Sequence, residues 1–339
     1  MKIREYLRKV SAVALAVAIT AALGACGNAR AKEAVAGQAE GNGQEGNHQE
    51  NGNGKVVHLG YLPITHALAL LEEKELLDAE KGELTVELEK FSTWPDLMDA
   101  LNSGRIDGAS VLIELAMGAV SQGIDLKVAS LGHKDGNVVA VSDKVQSAAD
   151  LKGKTFAIPH TQSSHNILLH EALGKGGLKI EDVSVVQLSP SEMPSSLASG
   201  VIDGYCVAEP FGAQAVSQGF GHVLYNSEEL WEDSLCCGLV LNGGFLEKNP
   251  ETADKLIEKY YEAGKALDSE TAKEVAGKYL GQDEKVLELS LQWIQFDDLA
   301  VTEEAYQSLA DKVQEYGIND NPPAFGDFVY QAGENKKGE

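Results

Sequence analysis

Leu-Asn-Ser-Gly-Arg-Ile-Asp-Gly at residues 101–108 returns as Leu-Ala-Ser-Gly-Val-Ile-Asp-Gly at residues 197–204. The match extends on both sides. Residues 96–123 align with residues 192–219 at a constant offset of 96 without a gap, and twelve of the 28 positions are identical. In each copy a helical stretch closes on a glycine (Gly104, Gly200), a natural C-cap residue. Ile-Asp-Gly then enters a β-type run, and a second helical stretch ends at Gln122-Gly123 or Gln218-Gly219. Two copies are too few for a solenoid, which needs about three. The spacing predicts one such unit in each of two lobes.

Outward from the repeat, short apolar runs alternate with helical patterns. Strands are predicted near 56–62, 84–91, 106–112, 126–131, 137–142, 155–159, 184–188 and 205–207. Helices are predicted near 65–77, 95–103, 114–122, 163–173, 192–199 and 211–218. Such alternation implies mostly parallel sheets covered on both faces. A chain of 339 residues is long enough for two domains. From 250 to 317 the apolar spacing (Leu256, Ile257, Tyr260; Val286, Leu289, Trp293) predicts amphipathic cover and no third module.

The first 55 residues differ in character. Lys2, Arg4, Arg8 and Lys9 precede an uncharged run over 11–25, the pattern of a secretory signal. That run is short of the roughly 20 residues that span a bilayer. Leu23-Gly24-Ala25-Cys26 resembles the lipobox of bacterial lipoproteins, which implies cleavage before Cys26, lipidation of its sulfur and anchoring by several acyl chains. Residues 27–54, rich in Gly, Asn, Gln and Glu, are expected to form a disordered tether reaching roughly 30 Å. Net charge is −24, and near −27 once the four bases and one acid of residues 1–25 are gone. A nucleic acid or an anionic membrane surface is thereby excluded as the target.

Trp94-Pro-Asp-Leu-Met-Asp-Ala-Leu-Asn-Ser-Gly-Arg-Ile-Asp-Gly108, residues 150–158 (Asp-Leu-Lys-Gly-Lys-Thr-Phe-Ala-Ile), and residues 197–204 followed by Glu209-Pro210-Phe211 carry a family resemblance. Together they resemble the nitrate/sulfonate/taurine-type (NitT/TauT, NMT1-like) substrate-binding lipoproteins of ABC importers, over about residues 56–246. The resemblance implies an α/β, two-lobe type II periplasmic-binding-protein fold with a ligand cleft between the lobes. Lobe one would comprise 56–134 and lobe two 136–222. Residues 223–333 would return and pack helices on lobe one. It also implies an extracytoplasmic protein anchored to the cell membrane, a monomer with neither enzyme activity nor cofactor. By hinge closure it would capture a small solute and deliver it to permease and ATPase subunits. The range of solutes is nitrate, bicarbonate, an organosulfonate, taurine, or a pyrimidine- or riboflavin-like heterocycle. A solute-sensing lipoprotein is the alternative. Pyrimidine-synthase-like enzymes of this fold carry a cysteine cluster, of which only Cys236-Cys237 remains here, and the export signal disfavours them.

In open α/β sheets, ligands sit beyond the carboxyl ends of strands, near free N–H groups of helix starts. That rule selects Tyr61, Pro63 and His66 after the first strand and Trp94 after the second. Ser110 and Leu112 follow at the third, His160, Thr161, Gln162, Ser163 and His165 at the fourth. Trp94, ahead of Pro95 at a helix start, is expected to be exposed as a ligand-facing wall. Ser163 doubles as a helix cap. The resemblance places His165 where the nitrate-binding branch has a ligand-contacting histidine, whereas His170 stands where that branch often has arginine. Glu209 holds the equivalent place in lobe two, as a turn residue or as partner of a solute bearing donors. Cys236 and Cys237 fall in a predicted strand, where neighbours point to opposite faces, so the two cannot ligate one metal from regular geometry. With Cys206 they are expected to be small buried hydrophobes, and no metal site is expected.

Overall fold

The computed structural model describes residues 55–331. The expectations for residues 1–54 (export signal, Cys26 lipidation and tether) lie outside the described residues, as do 332 and 333. The strands in chain order are β1 (Lys55–Tyr61), β2 (Leu84–Lys90), β3 (Gly108–Leu112), β4 (Leu126–Leu131), β5 (Lys134–Asp135), β6 (Asn137–Val141), β7 (Thr155–Ile158), β8 (Ser184–Gln187), β9 (Gly204–Ala208), β10 (His222–Asn226), β11 (Cys237–Asn242) and β12 (Ile294–Gln295). They form one sheet of order β2-β1-β3-β11-β4, a second of order β10-β6-β9-β7-β8, and a small β12-β5 ribbon.

In the first sheet β1 runs parallel to β2 and β3, while β11 is antiparallel to both β3 and β4. In the second, β7 runs parallel to β8 and β9, while β6 is antiparallel to β9 and β10. Four strands of each sheet therefore share a direction and one opposes them. The opposing strand is in both cases the one carried in from the other sheet: β6 follows β4 and β5, and β11 returns after β10. The protein is thus an α/β molecule of two lobes, and the two crossings account for the departures from parallel pairing.

The repeat has a common physical cause in both lobes. Gly104 and Gly200 take φ of 71° and 74°, the left-handed region that closes a helix at little cost only for glycine. Ile106 and Ile202 are buried. Asp107 Oδ2 accepts from the His58 N–H at 2.8 Å, and Asp203 Oδ2 accepts from the Thr155 N–H at 3.1 Å. Each aspartate also donates its own N–H to the carbonyl of that same residue, at 2.8 Å in both cases. Ile-Asp-Gly is therefore a clip that fixes the strand following each repeat helix beside its parallel neighbour, β3 beside β1 and β9 beside β7.

Two expectations about boundaries need adjusting. Lobe two does not end at 222, because β10 continues as the edge of its sheet to Asn226. Nor do the C-terminal helices touch lobe one alone. The helix Glu303–Glu315 pairs Lys312 with Glu171 of lobe two, and Trp231 Nε1 donates to Ser308 Oγ at 3.2 Å. The segment beyond that helix returns to lobe one, where Ser121 Oγ donates to Asn321 O at 2.9 Å and Tyr330 N–H to Val128 O at 2.8 Å.

One buried acid is out of keeping with the core. Glu73, on the helix Leu68–Glu80, is fully buried, and neither carboxyl oxygen has a hydrogen-bond partner. Burial holds its pKa well above the ordinary carboxylate value. Removing an unsatisfied buried polar group is favourable when the shape is kept. Glu73→Met is expected to stabilise the fold by about 1–3 kcal/mol at neutral pH. A raised pKa weakens the wild type as pH rises through it, so the gain should be smaller near pH 5 than at pH 8. Urea unfolding at the two pH values measures this, and a variant less stable than wild type at both would refute it.

Candidate functional site

Four segments converge where the two sheets meet. β1 ends at Tyr61 and leads into the short 3-10 turn Thr65–Ala67, which carries His66. β4 ends at Leu131 and is followed by Gly132 and His133. Cys236 immediately precedes β11, and Cys237 is its first residue, paired with Leu112 of β3. The fourth segment is the start of the lobe-two helix Ser164–Lys175. Gly132 permits the close approach: a Cβ there would lie 2.7 Å from His66 O and 3.3 Å from Cys237 O.

His66, His133, Cys236 and Cys237 are all buried, and one ligand-capable atom from each lies within 4.8 Å of the other three. The two imidazoles stack with centroids 3.4 Å apart and planes 25° from parallel. His66 Nε2 lies 2.9 Å from Gly136 O, and His133 Nδ1 lies 2.7 Å from Asp135 O. A carbonyl can only accept, so these nitrogens are the protonated ones. The lone pairs are thereby left on His66 Nδ1, 3.7 Å from Cys236 Sγ, and on His133 Nε2, which the Cys237 N–H approaches at 3.4 Å. The two sulfurs are 3.8 Å apart.

Electrostatics agree with a neutral His66. Burial, with a smaller contribution from His133, lowers the pKa of His66 to about 4. Burial likewise lowers His165. The thiols divide. Burial alone would raise Cys236, but the hydrogen bond with Cys237 and the interactions with His165, His66 and His133 outweigh it, so its pKa falls well below the usual thiol value. Burial and the neighbouring Cys236 push Cys237 well up. One thiolate therefore forms before the other.

Around this cluster lie further buried polar atoms without partners: both ring nitrogens of His165, both carboxyl oxygens of Glu114, Ser164 Oγ and Asn137 Nδ2. Cys236 Sγ is 3.7 Å from Asn137 Oδ1. Orphaned buried polar groups are rare in native proteins and call for an explanation, of which an unseen ligand is one. Among the described residues no lysine or arginine is buried.

The expected site residues divide into three sets. His66 belongs to the buried cluster, His165 is buried within electrostatic reach of Cys236 and His133, and Leu112 is paired beside Cys237. His160 and Gln162 line a groove with Pro95, Met98 and Leu115, so they lie where lobe two faces lobe one; Thr161 is exposed and donates its N–H to Gln187 Oε1. Ser163 caps its helix by accepting from the Asn166 N–H at 3.3 Å. Tyr61 and Ser110 are buried, Ser110 Oγ without a partner, and Pro63 is half-buried. Glu209 turns away from the cluster. Both of its carboxyl oxygens accept from the Ala213 N–H in the first turn of the helix Phe211–Gln218, while its carbonyl accepts from Thr65 N–H and Oγ1 across the lobes. His170 stacks on Tyr316, with ring centroids 4.3 Å apart.

Two expectations are corrected. Trp94 is not exposed: it is 2% accessible, and its Nε1 is unpartnered. Cys236 and Cys237 do not point apart, because Cys236 lies outside the strand and alternation does not reach it. Sequence reasoning placed Glu114 at the floor of the site or as a first-turn helix acid, and passed over His133 and Asn137. The available signal was a histidine directly after a strand end, at the entry to the first crossing.

Comparison with known proteins shows a family and several similar chains. The NMT1-like family model matches residues 50–281. The nitrate import ATP-binding protein NrtC of Synechocystis is 28% identical over 253 residues, 68% of this chain and 38% of that protein. The nitrate/nitrite binding protein NrtA of Nostoc is 25% identical over 240 residues, 64% of this chain and 54% of that protein. The chain thus spans between about a third and a little over half of these curated relatives' own length. Among solved structures, the ligand-binding component of an ABC-type import system from Staphylococcus aureus, with zinc bound, superposes with a TM-score of 0.78 at 38% identity, covering 81% of this chain and 96% of that one.

Proposed function

The chain belongs to the NMT1-like family, and from that premise we propose that it is the extracytoplasmic solute-binding component of an ABC importer. It captures a small solute between its lobes and hands it to a permease driven by an ATPase. In this reading Cys26 carries the lipid anchor, residues 27–54 form the tether, residues 55–331 act as a monomer, and no catalytic step is involved. The observation that carries the reading is a set of unpartnered buried polar atoms along the line where two sheets, joined by two crossings, face each other. Solute satisfies those atoms only when the lobes are together, so binding favours the closed form. Hinge closure around a ligand is the motion by which periplasmic binding proteins work.

The contacts that hold the lobes together away from the cluster are specific. Glu171 of lobe two takes Lys312 in a half-buried ion pair and accepts from Tyr316 Oη at 2.9 Å, while His170 lies flat on the Tyr316 ring. Glu171→Ala removes both bonds and is expected to weaken solute binding by roughly fivefold, about 1 kcal/mol, by destabilising closure without touching the site. The test is a thermal-shift screen of nitrate, bicarbonate, alkanesulfonates, pyrimidines and divalent metals, followed by small-angle scattering with any hit. A hit that compacts the protein, and binds Glu171→Ala more weakly, supports the reading. No stabilisation by any of these solutes, or binding with unchanged scattering, overturns it.

A further inference from the structure

We infer that His66, His133, Cys236 and Cys237 form a four-coordinate site for a thiophilic metal ion, which makes such an ion the class of solute captured. The inference deepens the importer reading and rests on it for the step from binding to transport.

The donor set and its spacing are those of a tetrahedral N2S2 centre. Metal–sulfur bonds of about 2.3 Å at the tetrahedral angle separate two sulfurs by about 3.8 Å, and one sulfur from a nitrogen at about 2.0–2.1 Å by about 3.6 Å. The structure has Sγ–Sγ of 3.8 Å and Cys236 Sγ–His66 Nδ1 of 3.7 Å. The remaining ligand atoms fall within the same 4.8 Å cluster. The outer contacts match as well. A ligating histidine usually donates its other ring N–H to a carbonyl or carboxylate, which fixes the tautomer and aims the lone pair. Here Asp135 O and Gly136 O, consecutive carbonyls of the first crossing, do this for His133 and His66. All four side chains are buried, and His165 and Glu114 add unpartnered polar atoms beside them.

Charge favours a cation over an oxyanion. A buried oxyanion needs fixed positive charge or several N–H donors, but no lysine or arginine is buried among the described residues, and Glu114 is a buried carboxyl beside the cluster. A divalent ion, by contrast, is neutralised by two thiolates. On binding, two metal–sulfur bonds form and each thiol still protonated loses its proton to water, with no change of oxidation state. The site is assembled from the crossings themselves: His133 precedes the first, and Cys236 and Cys237 end the second. Occupancy therefore draws together the segments about which the lobes turn.

The test uses the full-length protein, reduced and stripped of metal, titrated with Co2+ as a spectroscopic probe and with Zn2+ in competition. The expected result is a near-ultraviolet thiolate-to-cobalt charge-transfer band with tetrahedral visible bands, displaced by Zn2+. Cys236→Ser, Cys237→Ser and His66→Gln should each weaken Zn2+ binding by more than the ten- to hundredfold typical of losing an outer-shell partner. Cys206→Ser, at a buried cysteine outside the cluster, should leave the band and the affinity unchanged. Circular dichroism on each variant separates loss of a ligand from loss of the fold. Absence of the band in wild type, or an equal band in the folded Cys236→Ser and Cys237→Ser variants, overturns the inference. Stabilisation by nitrate, bicarbonate or a sulfonate but not by Zn2+ overturns it too, while leaving the importer reading in place. Zn2+ binding that depends on the cysteines but leaves the scattering profile unchanged supports the site and counts instead against capture by closure.

Discussion

Glu209→Gln is expected to raise the unfolding midpoint strongly at about pH 9 and to change it little near pH 4. The carboxyl is fully buried, and burial raises its pKa from 4.5 to about 8 despite the opposing bonds from the N–H groups of Ala213 and Gly212. The sign follows from linkage. A group whose folded pKa is raised contributes stability fully present below its unfolded value, here about 4.5, and lost as pH rises through about 8. The loss is on the order of 4 kcal/mol once the carboxyl ionises in place. Glutamine keeps an oxygen for the Ala213 N–H and has no charge to bury, so its stability should be nearly flat over that interval. Thermal or urea unfolding at several pH values measures the two slopes, and parallel slopes would show that burial does not control this group. Because the same residue offers its carbonyl to Thr65 across the lobes, alkaline conditions should loosen the interlobe contact before the rest of the fold.

Gly108→Val is expected to be the most damaging single substitution at the repeat, at roughly 3 kcal/mol or more. A Cβ there would sit 2.5 Å from Leu241 Cδ2, 2.9 Å from Val240 O and 3.0 Å from Leu59 Cδ2. The side chains could shift, but Val240 O belongs to the β3–β11 ladder and cannot. Gly104→Ala, where the cost is a left-handed φ in open surroundings, should lose only about 1 kcal/mol. Gly174→Ala, with nothing near its Cβ position, should be neutral or slightly stabilising. Equal losses at the three positions in equilibrium denaturation would refute the ranking.

These glycines show why the architecture was legible. Gly104 and Gly200 meet a demand of the local backbone, a left-handed helix end, and local demands are written in local sequence. Recurrence at a fixed offset then revealed the two lobes. The site was legible only in part. His66 and His165 were found because they sit at strand ends and helix starts, where a positional rule applies. His133 and the cysteines were not, because their meaning depends on contacts between residues far apart: Cys236 touches a histidine 170 positions earlier, and Cys237 one 104 positions earlier. The strand pattern even misled, since it assigned Cys236 to a strand that begins one residue later. Trp94 was judged from its place beside Pro95, whereas its burial is a property of packing that no local rule contains.

The exchanged strands bear on how the molecule can be divided. β4 meets the rest of its sheet only through β11, and β10 only through β6. A fragment ending at residue 134 would leave β3 with a bare edge and β4 stranded, and one confined to 136–222 would lack β10. The halves are woven, so they should mature together, and separately expressed pieces should be insoluble alone yet recover structure when mixed.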